Sequence, residues 1–280
     1  MPKYKYRDLR PLPEAEGVYT RWIAHLADIF TRKQDPVLRA ETVRDELHQL
    51  YLGRPHGGKL NVNMNTELPF NVLELSLNPF NSTLEPEYYG DRDEEKYAIR
   101  KPLIWFWQMF DRSPVGINHW LGFRFRCMLG KHIFRHIGKG VKIFQDVEFS
   151  YGYNLTIEDN CVVHRGCMLD DRGEIILHAG TSLSDYASVF SHRHDPIDQA
   201  DVTNMVTEIG PRARITYRAA VMSGVKIGAD AILGAHAVAT KEIPDRAIFG
   251  GVPAKQLKSK DDIQKPTEAA AEPAAPPTPR

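Results

Sequence analysis

From Ile209 onward the large aliphatic side chains return every sixth residue, at Ile209, Ile215, Val221, Ile227 and Leu233, with Ala239 next in line. The same interval links Val141 to Val147, Ile157 to Val163 and Leu169, and Leu177 to Leu183 and Val189. A lone helix repeats every 3.6 residues and an alternating strand every two, so a sustained period of six belongs to neither alone. It is the pattern of a parallel β-helix, in which each short strand adds one inward aliphatic to a stack. Gly210, Gly228 and Gly234 each follow such an aliphatic, where a missing side chain permits a tight corner. The registers are broken by a short insertion near Asp170-Asp171 and a longer one after Val189.

The rest of the chain lacks this period and divides around it: a helical N-terminal region over 1–135, the repeat over 136–258 and a tail over 259–280. Val18, Tyr19, Trp22, Ile23, Leu26, Ile29 and Phe30 follow the rhythm of one helical face. A second helix is predicted from Asp35-Pro36, an N-cap followed by proline at the first helical position, to Gly53. Residues 54–92, rich in Asn, Pro and Gly, read as loop with short extended pieces such as Phe70–Leu77. Two aromatic-rich stretches follow, Tyr97–Phe110 and Pro114–Ile137. Seven Lys or Arg and no Asp or Glu fall between Arg112 and Gln145. That segment reads either as a cover for the open end of the repeat or as an interfacial helix touching an anionic membrane over 112–137. The tail, with AEPAAPPTPR and few large apolar residues, is predicted to be disordered.

Bulk properties exclude several classes. Lys+Arg and Asp+Glu balance at 36 each, which points to neither nucleic acid nor an acidic polymer as partner. MPKYKYRDLR has no apolar signal core, and no apolar run approaches the length of a spanning helix, so a cytoplasmic location is expected, with the inner membrane face as a peripheral alternative. Cys127, Cys161 and Cys167 form no zinc-type pairs and read as small buried hydrophobes.

Two stretches carry a resemblance to a known family. Ile227–Lys258, IGADAILGAHAVATKEIPDRAIFGGVPAKQLK, is similar to the closing coil, VTKDIP segment and GGVPAK turn of the hexapeptide-repeat O-acetyltransferases of the left-handed β-helix superfamily. Leu169–Asp195 looks like the coil that leads these enzymes to their catalytic histidine. Maltose, galactoside and polysaccharide acetyltransferases are the nearest in pattern. The resemblance implies a mainly β, left-handed parallel β-helix and an acetyl-CoA-dependent acyltransferase that needs no metal. It also implies a homotrimer, with active sites between chains and a sugar or glycan hydroxyl as acceptor. The first 110 residues do not match the short N-terminal segment of the sugar acetyltransferases.

Moving an acetyl group from a thioester to a hydroxyl requires a general base, and histidine suits the task because its pKa lies near operating pH. Ser191-His192-Arg193-His194-Asp195 offers two. Family spacing, five residues past the last stacked aliphatic Val189, selects His194. His192 is the lesser candidate and would shape the acceptor pocket. The family's oxyanion donor, a backbone N–H, corresponds to Thr216-Tyr217, with tyrosine where the family has a small residue. Ala235, Thr240, Lys241 and Lys255 match CoA contacts, with Lys258 a weaker match, and lysines suit the phosphates of CoA. Asp170, Asp171, Arg172 and Asp195 fall where the family places acceptor-side polar groups; Gly166 replaces a sugar-binding Asn. Two other functions share this fold. A γ-type carbonic anhydrase would bind zinc with His178 stacked near His194, since coils recur about every 18 residues. A non-catalytic trimeric scaffold would use the β-helix only for assembly.

Overall fold

The computed structural model describes residues 10–58 and 68–263. Most of the expected tail therefore lies outside the described residues. Its beginning is paired: the strand Lys255–Ser259 runs antiparallel to Ala247–Gly250 and ends in a 3-10 turn over Lys260–Asp262.

The repeat forms a triangular parallel β-helix. On the first face Ile137, Ile157, Leu177, Ile209 and Ile227 stack in register. Ile143, Val163, Leu183, Ile215, Leu233 and Phe249 line the second face. The third carries Phe149, Leu169, Val189, Val221 and Ala239. The first coil departs from the predicted register, since its stacked side chains are Ile143 and Phe149. Val141 and Val147 instead sit two residues earlier, at the corners, where Cys161, Cys167, Ala213 and Ala219 sit on later coils. Side chains alternate along a strand, so positions two apart both face inward. The period alone could not tell which of the two was the column. Corners are tight because coils nearly touch there. A Cβ on Gly210 would lie 2.6 Å from the carbonyl oxygen of Ile227 on the next coil.

Among the described residues five α-helices precede the repeat: α1 (Pro13–Arg32), α2 (Pro36–Leu52), α3 (Leu68–Ser76), α4 (Glu94–Arg112) and α5 (His119–Ile133). Both ends of α2 behave as predicted. Asp35 accepts hydrogen bonds from the Val37 and Leu38 N–H groups (2.9 and 3.0 Å), and Gly53 ends the helix in the left-handed conformation at φ +66°. The segment predicted as extended around Phe70–Leu77 is instead α3. Its buried positions Asn71 and Glu74, with Leu77 in the turn that follows, keep a helical spacing whose inward members are mostly polar and so escape an apolar pattern. Glu74 is buried because His48 Nε2 (2.9 Å) and Arg54 Nη2 (2.7 Å) donate to it.

Aromatic packing joins α1, α4 and α5: Phe110 stacks on Phe125 at 3.9 Å between centroids, with Trp22 5.5 Å from Phe125. Trp107 and Phe134 pack edge-on against Phe149 of the first coil at 5.3 and 5.1 Å, so helices and repeat share one core. The fully buried Arg126 on α5 ties them together, donating to Asp111, to the Gly116 carbonyl and to the Ile143 carbonyl of the first coil. Burial pushes the Asp111 carboxyl up, although Arg126 favours its ionised form. Trp120, Leu121, Phe125, Met128, Leu129 and Ile133 are buried. The apolar face that an interfacial helix would offer to a membrane is thus spent covering the end of the β-helix. Among the described residues no helix is long and apolar enough to cross a membrane.

Candidate active site

The corner between the third and first faces holds most of the predicted site. Asp170, Asp171 and Arg172 occupy it on one coil, the insertion after Phe190 leaves from it on the next, and Thr240-Lys241 lie on it at the last coil. The insertion is an antiparallel ribbon, with His192 opposite Asn204 and His194 opposite Val202. Ser191 anchors its base: its hydroxyl donates to the Asp170 carbonyl at 2.5 Å, and its own carbonyl accepts from Met205 N–H at 2.7 Å. Asp195 shapes the tip, accepting from the Ile197 and Asp198 N–H groups (2.8 and 3.1 Å). Those donors hold its carboxyl below the usual range.

The two histidines differ in environment although their rings are only 5.2 Å apart. His192 is half-buried, with Nδ1 2.5 Å from Asp170 Oδ2 in an ion-pair contact. Ser150 Oγ donates to the other Asp170 oxygen at 2.9 Å. His194 is exposed, and its Nδ1 lies 2.7 Å from the carbonyl of Gln199. A carbonyl can only accept, so Nδ1 is the donor in this contact, and in the neutral imidazole the lone pair then sits on Nε2. His194 lines a cavity of about 810 Å³ with Asp195, Pro196, Gln199, Ala200 and Tyr88.

Asp171 is fully buried. It accepts from the Tyr151 and Asn154 N–H groups and braces the preceding coil, away from the cavity. Burial pushes its carboxyl up to about 7, against those two donors. Arg172 pairs with Asp91, which also accepts from Tyr151 Oη (2.7 Å) and Asn204 Nδ2 (3.1 Å). Burial opposes ionisation of Asp91, but these hydrogen bonds outweigh it and hold the carboxyl below its ordinary value. Asp91 thus links the N-terminal region, the repeat and the histidine ribbon. Sequence reading missed it, along with Tyr88 and Asn204. They lie in segments without periodicity, and the only local hint is the EYYGD cluster ahead of α4.

Other predicted residues sit elsewhere. Tyr217 and Ala235 occupy the corner between the second and third faces, at the opposite edge of the third face from His194. The Thr216 N–H donates to Leu233 and the Arg218 N–H to Asp185, while the Tyr217 N–H has no backbone acceptor among the described residues. The GGVPAK turn folds over Val238, whose N–H donates to the Gly251 carbonyl and whose carbonyl accepts from the Ala254 N–H, so Lys255 is held beside the last coil. Lys255 and Lys258 lie on the closing antiparallel strand and are exposed. His178 does not lie near His194. It is at the corner between the first and second faces, held by Glu158 and Glu208. The insertion sends the ribbon out from a different corner. Among the described residues no three His, Cys, Asp or Glu side chains converge as a metal-binding set.

No family model matches the chain. It is 28% identical over 170 residues to the putative colanic acid biosynthesis acetyltransferase WcaF of Escherichia coli K12, a match spanning 60% of this chain and 91% of that one. Putative acetyltransferase SAR2635 of Staphylococcus aureus is 28% identical over 145 residues, covering 49% and 70% of the two chains. The hexapeptide-repeat acetyltransferase VCA0836 of Vibrio cholerae, solved with acetyl coenzyme A, has a similar fold. Its TM-score is 0.53 at 16% identity, over 65% of this chain and 97% of that one. The six-residue stack and its closing turn agree with these similarities, all of them to proteins named as acetyltransferases.

Proposed function

We propose that the protein moves an acetyl group from acetyl-CoA to a hydroxyl of a sugar or glycan, with His194 as general base. The observation that carries this reading is the His194–Gln199 contact. It occupies Nδ1 as a donor, so the neutral form of this exposed imidazole offers Nε2 as proton acceptor at the wall of a ligand-sized cavity. In that role Nε2 takes the acceptor's hydroxyl proton as the oxygen attacks the thioester carbonyl. The tetrahedral intermediate then expels the CoA thiolate, which receives the proton from the imidazolium. The Tyr217 N–H is the proposed oxyanion donor. Ala235, Thr240, Lys241, Lys255 and Lys258 are the proposed CoA contacts, the lysines matching its phosphates.

Within one chain the base and the oxyanion donor stand at opposite edges of the third face. The reading therefore includes a trimer in which His194 of one copy meets Tyr217 of another. Ile197 at the ribbon tip is 95% exposed, an apolar side chain suited to docking on a second copy. A second assignment of the base rests on the contact of His192 with Asp170, an imidazole–carboxylate pair of the kind that orients catalytic histidines. A free-thiol assay of CoA release with sugar acceptors separates the two. His194→Ala should lower kcat about 10²–10⁴-fold, with His192→Ala costing far less. Full transfer by His194→Ala together with loss in His192→Ala would reassign the base.

A further inference from the structure

We propose, on the basis of the acetyl-transfer reading, that Tyr88 is the platform on which a sugar ring of the acceptor stacks while its hydroxyl faces His194. The ring belongs to the N-terminal region yet lines the same cavity as His194, Asp195 and Gln199. It is 89% exposed, its one aromatic neighbour among the described residues is Tyr89, edge-on at 5.8 Å between centroids, and its hydroxyl has no hydrogen-bond partner among the described residues. Exposed single aromatics are common on protein surfaces. What sets this one apart is the rigidity of its support.

Tyr88 ends the 3-10 helix Glu85–Tyr88. There the Leu84 N–H donates to Glu87 (2.6 Å) and Arg92 donates to the Pro86 carbonyl (3.0 Å). The neighbouring Tyr89 donates its hydroxyl to Glu85 and lies under the Arg172 guanidinium, 4.2 Å from the ring centroid. Two residues on, Asp91 fastens the segment to Arg172 and to Asn204 of the histidine ribbon. A backbone held this way loses little freedom when a ligand covers the ring it carries. The chemistry of the cavity is divided to match a pyranose. The electron-rich face of Tyr88 suits the C–H face of the sugar. The outer oxygen of Asp195 and the side-chain amide of Gln199, neither hydrogen-bonded among the described residues, suit its hydroxyl edge. The N-terminal region would in this way choose the acceptor while the repeat supplies base and donor site.

The test is steady-state kinetics at saturating acetyl-CoA with methyl β-D-glucopyranoside, methyl β-D-galactopyranoside, maltotriose and the acyclic polyol D-glucitol. For Tyr88→Ala, KM for the cyclic acceptors should rise about tenfold, a loss of about 1.4 kcal/mol. Its kcat, its KM for acetyl-CoA and its turnover of glucitol should not change, and Tyr88→Phe should behave as the parent. Equal effects on cyclic and acyclic acceptors, or none on either, overturn the proposal while leaving acetyl transfer intact. Dissociation of the Tyr88→Ala assembly by light scattering overturns it too, by making the residue an interface contact. If the parent enzyme acetylates no pyranoside although it binds acetyl-CoA, the sugar reading falls, and the platform with it.

Discussion

The helical region and the β-helix share a core but are held together by different means. In the repeat each coil is stabilised by the one beneath it, through the same aliphatic columns and the same corner contacts repeated along the axis. In the helical region single long-range contacts carry the arrangement. Arg126 joins α4, α5 and the first coil, Glu74 gathers His48 and Arg54, and Asp91 fastens a loop to a ribbon more than a hundred residues away. Repetition spreads stability over many equivalent positions, whereas the irregular region adds to its aromatic core a few polar contacts that occur once each.

The sharpest way to break that contrast is Arg126→Ala. It strands Asp111 in a buried site without its partner, and should cost about 3–5 kcal/mol, read as a fall in the urea midpoint. Because Trp107 and Phe134 pack on Phe149, fluorescence and far-ultraviolet dichroism should report one transition. Two separated transitions would show the regions to be independent. A loss below about 1 kcal/mol would show that the contact is not concentrated there.

Asp171 is a fully buried carboxyl of the repeat with no cationic partner among the described residues. Below about pH 4 its carboxyl is protonated in both folded and unfolded chains, and stability is undiminished. As pH rises toward 7 the unfolded carboxyl ionises first, so stability falls, by an amount on the order of 4 kcal/mol, and then levels off. Asp171→Asn, similar in shape but unable to titrate, should flatten this slope between about pH 4 and 7 in urea titrations. The same slope in both proteins would show that Asp171 ionises at its ordinary pH.

A smaller effect is expected at the corner. Gly210→Ala places a methyl against backbone of the next coil, which cannot swing aside, and should cost about 1–3 kcal/mol. No change in the thermal midpoint would mean that coils can separate locally and that the corner tolerates volume.

How much was legible follows from the same contrast. Ile209, Ile215, Val221, Ile227 and Leu233 announce the β-helix because stacking demands the same residue type at the same interval. The first coil was misplaced by two residues because both alternating positions face inward there. Asp35 and Gly53 marked α2 because capping is local chemistry between near neighbours. Phe70–Leu77 differs from the extended reading because α3 buries the polar Asn71 and Glu74, and the burial of Glu74 makes sense only once His48 and Arg54 arrive from elsewhere in the chain.

By itself, then, the sequence determined the repeat, its closing turn, the two histidines of the insertion and the resemblance to the hexapeptide-repeat acetyltransferases. These are written in local spacing, and local spacing is set by strand alternation and corner geometry. Only the tertiary structure decided that His192 faces Asp170 while His194 contacts Gln199 through Nδ1 and lines a cavity, and that Tyr88 and Asp91 stand beside them. Those outcomes depend on which distant groups meet after the chain closes, and nothing in the spacing of neighbours encodes that.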